Sequence, residues 1–138
     1  SYMDTVRALL GISTFLLPST EDAAALFPDE AFETYARRFH QAGAQYVVLK
    51  RGEEGCVGWE AGGDVQSFDA HRVDVVDPTG AGDCFCATLV SLVISGRFSF
   101  REALRYANAA GALAVSCIGP MEGNRTLSEI EIFLEARA

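Results

Sequence analysis

Two aspartates bracket a run of small residues in Asp77-Pro78-Thr79-Gly80-Ala81-Gly82-Asp83. Gly80, Ala81 and Gly82 let backbone N–H groups approach an anion closely, and a helix starting there adds the partial positive charge of its dipole. A phosphate fits such a cradle. The loop lacks the lysine of a Walker A loop and the third glycine of a dinucleotide fingerprint. Asp83 is foreign to a purely phosphate-binding role, because a carboxylate beside a phosphate is repulsive. Next to a γ-phosphoryl group it would instead accept the proton of an attacking hydroxyl. Taken alone, Asp83 reads more readily as an acid that caps a helix after a glycine turn.

The elements that must hold this loop can be read on either side of it. Arg72 to Val76 is strand-like and leads into the loop. The 12-residue uncharged run CFCATLVSLVIS follows, as a helix from near Gly82 that stops at Gly96. Ser99 with Glu102, and Thr126 with Glu129, have the spacing of capping boxes for two further helices, the first from Phe100 to about Cys117.

Upstream, Asp4 to Leu10 suits a short helix and Ile12 to Leu17 a strand ended by Pro18. Ser19 is placed to cap a short helix through Phe27, with Glu21 and Asp22 in its first turn. Asp29 is placed to cap the next, in which Phe32, Tyr35, Ala36, Phe39 and Ala42 recur at helical spacing before Gly43. Tyr46 to Lys50 and Cys56 to Trp59 read as a hairpin around RGEEG, and Val65 to Phe68 as one more strand. The alternation of helices and strands predicts an α/β class with a mainly parallel sheet and an antiparallel hairpin portion.

Composition sets the outer bounds. The chain has 138 residues, 49% of them hydrophobic and 22% charged, which excludes disordered and low-complexity classes. Nineteen acidic against 11 basic residues give a net charge of −8, which predicts no nucleic-acid partner and no anionic membrane surface. The apolar run is too short for the roughly 20 residues that span a bilayer. The opening Ser-Tyr-Met shows no targeting pattern, so a cytoplasmic location is expected. Cys56, Cys84, Cys86 and Cys117 form no CxxC pair, and His40 and His71 lack neighbours at ligand spacing, so neither disulfides nor zinc are expected.

DPTGAGDCF, the apolar helix after it and YANAAGALAV together resemble the C-terminal signature of the ribokinase-like, phosphofructokinase B type carbohydrate kinases. FLLPSTEDA resembles that family's strand end and N-x-x-E region, and VVLKRGEEGC its nucleotide-side strand and turn. The segments occur in family order from about Leu16 to Gly123, and DPTGAGD is the most specific.

The resemblance implies a three-layer αβα fold, with residues 1–138 supplying the nucleotide-binding and catalytic portion of a sugar kinase domain. Asp83 then matches the catalytic base, and Gly80, Ala81 and Gly82 the anion hole. Lys50 and Gly52 match the nucleotide-lining turn, and Asn108 a residue near the adenine or ribose. Asp22 matches the acid associated with Mg²⁺, while Ser19 stands where the family usually has asparagine. Asp77 and the Thr79 carbonyl, with Ser116 to Gly123, match the region that binds an activating monovalent cation, K⁺ in many members. Pro78 replaces a common hydroxyl residue, as in several sugar-acid kinases.

The implied function is transfer of a phosphoryl group from ATP to a hydroxyl of a small-molecule sugar or sugar acid, with the keto-deoxy-gluconate and fructokinase-like branches favoured. A nucleoside kinase would share the site. The family's N-terminal sugar-binding and lid portion is not visible in these residues, so a missing N-terminal half or a homo-oligomer partner is expected to complete the sheet edge. A different reading is a non-catalytic fragment that binds nucleotide or packs against a partner.

Overall fold

A computed structural model describes residues 1–138. In chain order it contains α1 (Tyr2–Leu10), β1 (Phe15–Leu16), α2 (Thr20–Leu26), α3 (Phe32–Gln41), β2 (Tyr46–Lys50), β3 (Cys56–Glu60), β4 (Val65–Phe68), α4 (Ala81–Ser95), α5 (Phe100–Ala114) and α6 (Leu127–Glu135). The chain divides into two compact units, Ser1–Gly52 with Cys56–Ser67, and Glu53–Gly55 with Phe68–Ala138.

The first unit is built on a sheet of order β1-β2-β3-β4. β1 pairs with β2 in parallel, Phe15 opposite Tyr46, and β2 pairs with β3 antiparallel from Tyr46–Glu60 to Lys50–Cys56. Val47 and Val48 point to opposite faces and are both fully buried, so β2 is covered on both sides. One apolar cluster joins Leu16, Ala23, Phe27, Tyr35, Ala36, Phe39, Ala44 and Val47, with Phe27 stacked on Tyr35 at 4.5 Å between ring centroids. The helical spacing of Tyr35, Ala36 and Phe39 puts all three on the buried stripe of α3. Burial pushes the Tyr35 hydroxyl up to about 12.

The first strand is confined to Phe15–Leu16 of the expected Ile12 to Leu17, and α5 ends at Ala114, short of Cys117. Two helix starts also differ from the sequence expectation, for local reasons. Ser1 caps α1 and exchanges bonds with Asp4, so that helix begins at Tyr2. Asp29 does not cap α3. It adopts a left-handed φ of 61°, and the helix starts after Ala31, which offers no side-chain acceptor.

The second unit is a helical assembly in which α4 packs along α5 and α5 contacts α6. Ala103, Leu104, Ala107, Ala109 and Ala110 form the buried stripe of α5, and Ala109 and Ala110 meet Ile130 and Leu134 of α6. Both expected capping boxes form. Ser99 Oγ accepts from Glu102 N at 3.2 Å, and Thr126 Oγ1 from Glu129 N at 3.3 Å. α4 buries Phe85 and Leu89, while Ile94 is 72% exposed. No helix is long and apolar enough to cross a membrane.

Arg72 to Val76 is not a strand. Its alternating pattern finds no pairing strand, and the N–H groups of Val76 and Asp77 both donate to the Val115 carbonyl, at 2.7 and 3.1 Å.

Candidate active site

The second unit carries the glycine loop at the start of α4. Gly80 is the N-cap residue and lies in the left-handed region at φ 81°, a conformation that suits glycine. A Cβ there would also strike the Pro120 carbonyl, so the loop approaches its neighbour too closely for any side chain. α4 has no side-chain cap, and its first intrahelical bond runs from Cys84 N to Gly80 O at 2.9 Å. The N–H groups of Gly82 and Asp83 precede that bond and are unpaired within the chain. Ala81 N makes only a 3.3 Å contact with the Pro78 carbonyl. Asp83 sits in this first turn, exposed, with its carboxylate bound to nothing else in the chain. One helix end therefore offers two free N–H donors and a free carboxylate.

The loop is fixed by Asp77. Its Oδ1 accepts from Thr79 N at 2.9 Å and its Oδ2 from Gly119 N at 2.9 Å. Bonds from Thr79 and Gly119 hold its carboxyl below the usual range. Asp77, Thr79 and the 116–123 loop are thus joined through one carboxylate. Asn108 is buried in α5 and donates Nδ2 to the Asp69 carbonyl at 2.9 Å, tying down the segment after β4.

The first unit brings Ser19, Asp22 and Lys50 together. Ser19 caps α2, donates its N–H to Asp22 Oδ2 at 2.9 Å and accepts from Asp22 N at 3.1 Å. These bonds hold the Asp22 carboxyl below its ordinary value, with Lys50 a smaller contributor. Ser19 also bridges to Lys50, whose N–H donates to the Pro18 carbonyl at 2.9 Å. Gly52 follows at φ 56° with open space around its Cα.

No group of three or more His, Cys, Asp or Glu side chains converges to hold a metal ion. Asp22 has one carboxylate oxygen outside its capping box. That donor set fits a Mg²⁺ carried chiefly by phosphate oxygens and water, and does not fit an all-protein cage.

A donor-lined helix start of this kind, on an α/β scaffold, can hold an anion. Residues 1–127 match the pfkB family carbohydrate kinase model, and the chain belongs to that family. It is similar to the 2-dehydro-3-deoxygluconokinase of Bacillus subtilis, at 32% identity over 96% of this chain. It is also similar to that of Thermoproteus tenax, at 36% identity over 94%. In both cases it spans 41% of the relative's length. Among solved structures, it matches an E. coli protein designated ribokinase II, in complex with ATP and Mg²⁺. The TM-score is 0.88, with 37% identity over 96% of this chain and 42% of that one. The fold is therefore that of the ribokinase-like kinases, represented in part.

Proposed function

We propose that this chain supplies the ATP-handling and catalytic portion of a kinase that phosphorylates a hydroxyl of a sugar or sugar acid. The observation that carries this reading is the start of α4, where two unpaired N–H groups and the free Asp83 carboxylate share one turn. Asp83 is the general base that takes the proton of the attacking hydroxyl, a role worth roughly 10²–10⁴ in rate. The loop Gly80, Ala81 and Gly82 is the anion hole for the charge that builds on the transferred phosphoryl, with the unpaired Gly82 N–H its free donor. Asp77 acts through the backbone by fixing this loop to Gly119, and Asp77 with the Thr79 carbonyl is the proposed K⁺ region.

In the first unit, Ser19, Lys50 and Gly52 line the nucleotide, and Asp22 faces Mg²⁺ through water. The metal, when bound, neutralises phosphate charge. Asn108 lies on the adenine or ribose side. A sugar acid is favoured as acceptor by the similarity to two 2-dehydro-3-deoxygluconokinases. The four free cysteines fit a cytoplasmic setting.

A coupled ADP-release assay on the full-length protein, over a panel of sugars, sugar acids and nucleosides, tests the reading. Turnover with a sugar acid above all others supports it. A nucleoside preference moves the protein to the nucleoside kinases, and no turnover with intact ATP binding favours a non-catalytic role.

A further inference from the structure

The first turn of α4 is held from two sides. On one, Phe85 and Leu89 are buried, and Gly111 of α5 lies beside Phe85 and the Ala81 carbonyl. Apolar contacts are non-directional, so by themselves they leave a helix free to roll. On the other side, the Cys84 thiol donates to Asn124 Oδ1 at 2.6 Å across 40 residues of sequence. Cys84 directly follows Asp83, and successive residues on a helix point about 100° apart. A bond that fixes the direction of Cys84 therefore also fixes that of Asp83.

Asn124 is itself firmly placed. Gly123 before it is buried, and a Cβ there would meet the Ala114 backbone at 2.5 Å, so this segment is pressed against the end of α5. Asn124 N donates to the Met121 carbonyl at 3.1 Å, and the Asn124 carbonyl accepts from Arg125 Nη1 at 3.0 Å. Thr126 then caps α6 two residues on. Burial and the Asp83 charge push the Cys84 thiol up, which keeps it protonated and able to donate. α4 has no side-chain cap, so nothing at its own start takes this part.

We propose that Asn124 is a positioning residue for phosphoryl transfer: through the Cys84 thiol it sets the rotation of the first turn of α4 and so aims Asp83 at the attacking hydroxyl. This rests on the reading of Asp83 as the general base. Reacting atoms must meet within a narrow range of distance and angle, and a misplacement of about 1 Å can cost roughly 10²-fold in rate. Asn124 is exposed, so losing its one bond to Cys84 loosens the turn without undoing the helix, and a smaller loss follows.

In the full-length protein, Asn124→Ala and Cys84→Ala each lower kcat about tenfold with KM for ATP within about threefold, and the double variant falls no further than either single one. Cys84→Ser keeps a donor and recovers most of the turnover. In an Asp83→Asn background, Asn124→Ala adds no further loss. Amide exchange gives a readout apart from turnover. The Cys84 N–H, bonded to Gly80 O at 2.9 Å, exchanges about threefold faster or more in Asn124→Ala, while that of Leu104 in α5 does not change. The proposal is overturned if Asn124→Ala leaves kcat or the Cys84 exchange unchanged, if the two single losses multiply in the double variant, or if Cys84→Ser is as slow as Cys84→Ala. Loss of turnover in Asp83→Asn with none in Asn124→Ala overturns this proposal alone, whereas turnover that survives Asp83→Asn overturns the general-base reading and this proposal with it.

Discussion

The Asp77 carboxylate accepts the Gly119 N–H at 2.9 Å across 42 residues of sequence, while its other oxygen accepts from Thr79. This one side chain joins the loop before α4 to the loop after α5. Its folded carboxyl value lies below the ordinary 3.8, so the contribution is present above that value and is lost as pH falls through the folded one. The Gly119 amide proton resonance should therefore titrate with a midpoint below 3.8. In Asp77→Asn that titration should vanish, and persistence of the same curve would show that another acid is responsible.

Asp83→Asn in the full-length protein should lower kcat by roughly 10²–10⁴ and leave ATP affinity within about threefold, as expected for loss of a general base. A pre-steady-state assay with calorimetric ATP binding separates the two effects. Unchanged turnover would remove Asp83 from the chemistry.

Gly80 and Gly62 share nearly the same left-handed φ, 81° and 82°, but only Gly80 faces the Pro120 backbone. Gly62→Ala should cost about 1 kcal/mol of backbone strain. Gly80→Ala should cost clearly more and also impair turnover. Urea unfolding of the two variants measures the difference, and equal losses would show that the contact with Pro120 relaxes freely.

Arg125 Nη2 donates to Cys117 Sγ at 3.2 Å, and this bond, then one from Ser116, holds the thiol below its ordinary value. Arg125→Gln should raise the thiol pKa and slow its alkylation near neutral pH. Peptide mass spectrometry after iodoacetamide treatment reads this out, with Cys84, pushed up by burial and by Asp83, as the slow internal reference. Faster alkylation in the variant would mean that access, and not ionisation, limits the reaction.

Features set by neighbours in sequence were legible from the sequence. Ser99 with Glu102 and Thr126 with Glu129 declare their capping boxes at fixed spacing, and the glycine loop announces a helix start because its backbone needs glycine. The Asp83 position followed from the same segment. What depends on distant partners was not legible. Arg72 to Val76 has strand-like alternation, but a strand exists only when paired, and here the Val115 carbonyl takes the N–H groups of Val76 and Asp77. The bond from Gly119 to Asp77 is likewise a product of folding across a long separation, without a local signal.

The capping boxes have an effect beyond holding helix ends. In α1, α2, α5 and α6 an acid at the third position returns to the cap backbone, so four of the six helix starts are already neutralised from within. Only α3 and α4 lack such a plug. In a chain of net charge −8 that repels anions at long range, the acids act as a filter on destination. An anion that reaches the surface finds four of the six dipole ends shut, while α3 and α4 keep their first-turn acids, Glu33 and Asp83, unbonded to the cap backbone.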